Sequence, residues 1–166
     1  IRDKLVTGVQ TCALPILPER VEFPVRRPVQ TRWMDNDHYG HVNNVAYYSF
    51  FDTAVNGFLI EATGRDIRTD QAIGVVAETS CRFLAEISFP DALEVGLAIE
   101  RLGTRSVVYR LAIFRVFSVD GRAEPCAIGR FVHVYVDRDT RQPVAIPGDI
   151  RAVLAPLAAL TSGEAR

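Results

Sequence analysis

Lysine is almost missing from this chain. Of 19 basic residues only Lys4 is a lysine and the rest are arginines, a bias we read as codon usage rather than phosphate recognition. Net charge is missing too: 20 acidic residues leave a formal charge of −1, which gives no hold on nucleic acid or an anionic membrane. Cysteine is sparse, with Cys12, Cys81 and Cys126 widely spaced and no C-x-x-C pair. That excludes a disulfide framework and a cysteine zinc site, and it suits a reducing cytoplasm. No hydrophobic run reaches the roughly 20 residues that cross a bilayer. The nearest, Leu5 to Leu17, is interrupted by Thr7, Gly8, Gln10 and Thr11 and is followed by no A-x-A pattern, so it does not read as a signal peptide either. The chain lacks a G-x-S-x-G elbow, a P-loop and a G-x-G-x-x-G run, which removes support for serine hydrolysis, phosphate transfer and dinucleotide binding. Internal repeats and low-complexity segments are absent as well.

What the chain has is concentrated in Thr31 to Asn44, T-R-W-M-D-N-D-H-Y-G-H-V-N-N. This stretch holds the only Trp and Met, two of the three histidines, and the acids Asp35 and Asp37. The pattern predicts a short strand over Val29 to Trp33, a turn at Tyr39-Gly40, and a helix capped by Asn43 or Asn44. Such a helix start carries roughly half a positive charge and offers backbone N–H groups to an oxyanion. Asp37, just upstream, is placed to attack a carbonyl or activate water. The stretch reads as a candidate acyl-transfer site, or as no more than a turn and helix cap with satisfied polar groups.

The run Asp35-x-Asp37-x-x-Gly40-His41-Val42-Asn43-Asn44-x-x-Tyr47 resembles the signature of the 4-hydroxybenzoyl-CoA thioesterase-like acyl-CoA thioesterases of the hot-dog fold, and the likeness extends more weakly to about Pro156. The resemblance implies that Asp37 is the catalytic carboxylate, Asp35 a structural acid, and the backbone N–H near Asn44 the oxyanion donor. It adds His41 as a positioning residue of the site, and Gly40, Asn43 and Tyr47 as substrate-binding positions. Hydratases of the same fold place a His five residues after the Asp. Here the intervals to His41 are four from Asp37 and six from Asp35, which favours hydrolysis over hydration.

A chain of 166 residues fits one domain that buries about two thirds of its unfolded surface. Residues 1–17 stand apart, because Leu5 to Ile16 resembles the translation of a sequencing-library adapter; we expect a leader outside the folded domain of residues 18–160, and a frayed tail over 161–166. Pro18 to Pro28 reads as extended, with Pro28 at a strand start or edge. From Asn44 to Ala62 the apolar residues Tyr48, Phe51, Val55, Phe58 and Ala62 fall at helical spacing, with a narrow polar stripe through Ser49, Thr53 and Asn56. A helix this apolar has to be covered on most of its circumference, and Thr63-Gly64 ends it.

Four strand-like runs follow: Gly74 to Phe83, Leu93 to Leu102, Val107 to Phe117 and Cys126 to Asp137, separated by turn signals. Leu93, Val95, Leu97 and Ile99 alternate with Glu94, Gly96, Ala98 and Glu100, which predicts one buried and one more polar face. Ile150, Val153, Leu154 and Leu157 trace a short last helix that Pro156 weakens. The sum is an α+β arrangement, and with the resemblance a hot-dog fold: a five-stranded antiparallel sheet wrapped around a long central helix, with a short C-terminal helix.

Other chemistries compete for the same residues. Asp35, Asp37, His38 and His41 have ligand types that suit a divalent metal, although they crowd one loop. His133, in a strand, reads as a hydrogen-bonded structural residue. Arg82, Arg105, Arg110, Arg115 and Arg130 are candidates for coenzyme A phosphates, since guanidinium binds phosphate bidentately. We expect a cytoplasmic acyl-CoA thioesterase with no metal or organic cofactor, an acyl-CoA substrate, no nucleic-acid or membrane partner, and assembly as a homodimer or homotetramer. The alternatives are a non-catalytic acyl-CoA or acyl-carrier binding module on the same fold, and a metal-dependent hydrolase.

Overall fold

The computed structural model describes residues 17–66 and 68–163, and the expectations for residues 1–16 and 164–166 lie outside them. Its elements run β1 (Val25–Gln30), α1 (Asn44–Thr63), β2 (Ala72–Phe83), β3 (Ala92–Leu102), β4 (Ser106–Val116), β5 (Ala123–Asp137) and α2 (Gly148–Gly163). All strands pair antiparallel in one sheet of order β1-β3-β4-β5-β2, so the two strands nearest the N-terminus form its two edges.

α1 is the axis of the fold. Asn43 caps it, its side-chain oxygen accepting from the Val45 N–H at 3.0 Å, and Gly64 ends it at φ +66 with its N–H on the Ile60 carbonyl. Tyr47, Phe50, Phe51, Ala54, Val55 and Leu59 are its buried residues. They lie against the concave face of the sheet, where Leu97 stands opposite Leu111 and Ile99 opposite Tyr109. At Gly129 on β5 the backbone is bare, and a Cβ there would collide with the Phe51 ring. The helix therefore nests onto main chain at that point, and the sheet curls around it.

Two expectations are corrected. The first strand is Val25–Gln30, not Val29 to Trp33: Trp33–Asp35 form a 3-10 turn whose start is fixed by Arg32 and Asp35. The second face of β3 is buried rather than polar at Gly96 and Ala98. The cause is Phe23, which follows a 3-10 turn at Arg20–Glu22, is itself fully buried, and packs on the convex face with Ala98, Ala112 and Phe114. Arg20 anchors this strap to Glu94 at 2.6 and 2.7 Å, and Arg110 holds Glu22 at 2.8 Å while lying over the Phe23 ring. α1 is covered on most of its circumference, and the expected stripe through Ser49 and Thr53 is exposed together with Val45, Asp52 and Ile60.

α2 packs on β3 and α1 through Ile150 and Leu154, and Arg65 at the end of α1 bridges to Asp149 at 2.7 Å. Pro156 lies inside α2, which continues past it to Gly163.

Candidate functional site

The loop ahead of α1 is built on Asp35. Its carboxylate is buried, accepts from the Arg32 backbone N–H at 2.7 Å, and is clamped by the Arg32 guanidinium at 2.8 and 3.1 Å. Its carbonyl accepts from the Asn43 N–H at 2.8 Å, so the loop ends where the helix begins. Asp35 is thus a brace, with its oxygens already engaged.

Residues 36–42 fold back on themselves. The Asp37 N–H donates to the His41 carbonyl at 2.8 Å, and the Gly40 N–H to the Asp37 carbonyl at 3.1 Å. Gly40 sits at φ +86, a left-handed conformation that a side chain resists, so its contribution is the turn itself. A second layer pins this turn to residues 87–89: Val42 N–H to the Ile87 carbonyl, Ser88 Oγ to the Gly40 carbonyl, and Phe89 N–H to Asn36 Oδ1. Asp37 is half-buried; Oδ1 accepts from the Tyr39 N–H at 2.8 Å, and Oδ2 has no partner among the described residues.

At the helix start the Asn43 side chain is used up as the cap, and no described residue accepts from the Asn44 N–H. Asn44 lines a cavity of about 270 Å³ together with His41, Val42, Tyr47 and Phe83 to Glu86. Tyr47 is buried beneath it, edge-on to Phe83 with ring centroids 4.9 Å apart. Burial, with smaller contributions from Cys126, Cys81 and Glu86, pushes its hydroxyl up to about 12, against a backbone hydrogen bond at Ile87 that opposes the rise. Tyr47 is therefore a protonated wall residue at neutral pH and no base. At the rim His41 Nε2 meets Glu86 Oε2 at 3.0 Å.

The structure does not bring every expected site residue into one cavity. His41, Asn44 and Tyr47 share the first; Asp37 and Gly40 line a neighbouring one of about 260 Å³ with Trp33, Asn36 and His38. His41 lines the one and His38 the other, so the turn contributes to both. Trp33 also stands edge-on to Phe89 at 5.9 Å, both exposed beside the second cavity. The wall from Phe83 to Glu86 was not legible from the sequence, because it reaches the site only through the long-range pinning of residues 87–89.

Of the arginines, Arg110 is paired with Glu22, Arg115 with Glu124 and Asp91, and Arg130 with Glu78 and Glu100. Arg82 and Arg105 make no ion pair among the described residues. No three His, Cys, Asp or Glu side chains among the described residues converge as metal ligands. His133 departs from expectation: it is buried, but its Nε2 finds no hydrogen-bond partner among the described residues.

The sequence profile of the thioesterase-like superfamily matches residues 29–154. A crystal structure of the PA5185 protein from Pseudomonas aeruginosa strain PAO1 is 51% identical, with 85% of this chain and 96% of that one covered at a TM-score of 0.80. PA2801, a putative thioesterase from Pseudomonas aeruginosa, is 26% identical over 77% of this chain and 95% of its own, TM-score 0.69. A mutant 4-hydroxybenzoyl-CoA thioesterase complexed with 4-hydroxybenzoyl-CoA is 17% identical, covers 78% and 97%, and shares the fold at a TM-score of 0.70.

Proposed function

The chain belongs to the thioesterase-like superfamily of thioester hydrolases, and we propose on that footing that it hydrolyses an acyl-CoA thioester to free acid and coenzyme A. The observation that carries this reading is the unengaged Asn44 N–H at the start of α1, opening onto a largely apolar cavity floored by Tyr47 and Phe83. The acyl group enters that cavity and its carbonyl oxygen meets the Asn44 N–H. Arg82 and Arg105, which make no ion pair among the described residues, are the candidate arginines left to take a coenzyme A phosphate.

Asp37 supplies the attack. In this reading the thioester carbonyl lies between the free Asp37 Oδ2 and the Asn44 N–H, with the His41–Glu86 pair steadying the rim. Either the carboxylate takes a proton from water, which adds to the carbonyl, or it adds directly and the resulting anhydride is cleaved by water. In both cases the oxyanion forms at the Asn44 N–H, and its collapse expels a thiolate. A thiol of pKa about 8.5 leaves near neutral pH without a strong general acid, so an oxyanion donor of about 3 kcal/mol and one carboxylate suffice.

Two further parts belong to the proposal. The enzyme works in the cytoplasm, where Cys81 and Cys126 stay as thiols. It also works as a homodimer formed along β2, the longer of the two sheet edges.

Asp37→Asn keeps the shape and removes the charge. Hydrolysis of an acyl-CoA panel, followed by thiol release, should fall by about two orders of magnitude or more, while acyl-CoA binding by calorimetry is retained. His41→Ala should lose less. Wild-type turnover in a folded Asp37→Asn variant overturns the assignment, and equal loss of binding and turnover moves Asp37 from chemistry to structure.

A further inference from the structure

The turn that presents Asp37 and the start of the loop ahead of α1 both hang on one short stretch, residues 88–91, which lines neither the Tyr47 cavity nor the Asp37 cavity. Ser88 Oγ donates to the Gly40 carbonyl at 3.0 Å. Three residues on, the Asp91 carbonyl accepts from Thr31 Oγ1 at 3.0 Å, just ahead of the Arg32–Asp35 clamp. Between these two points the stretch closes on itself: the Asp91 N–H donates to the Ser88 carbonyl at 2.8 Å, and the Ser88 N–H to Asp91 Oδ2 at 3.0 Å. Arg115 braces it from β4, its guanidinium donating to the Glu86 carbonyl at 3.3 Å and to Asp91 Oδ2 at 3.4 Å while Glu124 engages the same guanidinium.

The Gly40 carbonyl is a sensitive point to hold. It belongs to the planar Gly40–His41 peptide, so its direction also sets the main chain of His41, whose carbonyl accepts from the Asp37 N–H. Gly40, at φ +86 and without a side chain, has little torsional preference with which to hold that peptide. Two side chains aim it instead, Asn36 through Nδ2 at 3.1 Å and Ser88 through Oγ. Asn36 is part of the turn and moves with it, whereas Ser88 is fixed to the sheet through Asp91 and Arg115. The Ser88 bond is exposed, so water can take its place at little cost in stability. Water does not replace its direction.

We propose, resting on the thioesterase reading above, that Ser88 is a positioning residue of the reaction: its hydroxyl holds the Gly40–His41 peptide so that the free Asp37 Oδ2 faces the thioester carbonyl. It acts through Asp37 and touches neither the acyl group nor coenzyme A. Misplacing the attacking oxygen by a fraction of an ångström slows the chemistry and leaves substrate binding alone.

The test compares wild type, Ser88→Ala, Ser88→Thr, Asp37→Asn and the Ser88→Ala/Asp37→Asn double variant on one acyl-CoA that the wild type hydrolyses. Ser88→Ala should lower kcat about tenfold, with KM and melting temperature close to wild type. Ser88→Thr keeps the hydroxyl and should restore most of the rate. In the Asp37→Asn background the alanine substitution should cost no more than about twofold, because groups that act as a unit lose their contribution only once. An unchanged kcat in Ser88→Ala, a rise in KM in place of the fall in kcat, a loss that Ser88→Thr does not restore, or an equal loss with and without Asp37 would each overturn the proposal. So would a melting temperature that falls in parallel with kcat, which would make Ser88 a purely structural residue. A wild type that hydrolyses no acyl-CoA overturns the proposed function and this inference with it, and that result is read before any variant is made.

Discussion

At His133, Asp52 on α1 favours the charged ring, but burial against Tyr109, Phe131 and Tyr135 outweighs it and sets the pKa at about 4 instead of the ordinary 6.5. The unfolded chain binds the proton first on acidification, so stability is full above pH 6.5 and is lost as the pH falls from there through 4. A shift of this size corresponds to about 3 kcal/mol. Thermal melting between pH 7.5 and 4.5 should show the decline, and His133→Phe should flatten it; an equally steep profile in that variant assigns the effect to other groups. The same residue marks a limit of reading the sequence, since strand alternation shows that His133 points inward but not whether a partner waits there. Asp35 and Asp37 are the opposite case. Their separate placements, one clamped by Arg32 and one left with a free oxygen, follow from local bonds within a few residues, and so the motif carries them.

Local signals also decide which elements were legible. α1 follows from its apolar spacing, the Asn43 cap and the Gly64 stop, all contained in one segment. β1 does not. Val25–Gln30 carries two arginines and a proline and gains its place by pairing with β3, seventy residues on. The strap at Phe23 is less legible still, because its site is made of small residues on other strands, Gly96, Ala98 and Ala112, whose meaning appears only when they stand side by side. Its energetic role can be measured. Phe23→Ala should destabilise the chain by about 3 kcal/mol or more, as for other buried phenylalanines. Removal of residues 1–17 alone should shift the melting temperature by no more than a few degrees; a larger drop would show that the leader is part of the fold. On the concave face, Gly129→Ala drives a methyl group into the Phe51 ring. The ring sits against a fully buried helix face, so we expect a loss of about 1–3 kcal/mol in denaturant melts, and no loss would mean that α1 can ride outward.

The whole molecule has two sheet edges, and they are unlike. β1 is six residues long and contains Pro28, which cannot donate to a further strand. β2 is twelve residues long, carries exposed Val76 and Phe83, and runs beside the exposed stripe of α1 with its Val45 and Ile60. An edge of unpaired N–H and C=O groups next to apolar surface is a template for another chain. With one such edge, two copies related by a two-fold axis satisfy each other and close the assembly. In such a dimer the exposed stripe of α1 would be covered by the second copy. Sedimentation at micromolar concentration should give about twice the chain mass of 18.4 kDa. Val76→Asp puts a charge on the edge without touching the Tyr47 cavity, so it should raise the dimer dissociation constant at least about tenfold. Turnover should fall in step with the dimer fraction if the neighbouring subunit completes the site. A monomer of full activity at micromolar concentration would refute both the pairing along β2 and the dependence of the site upon it.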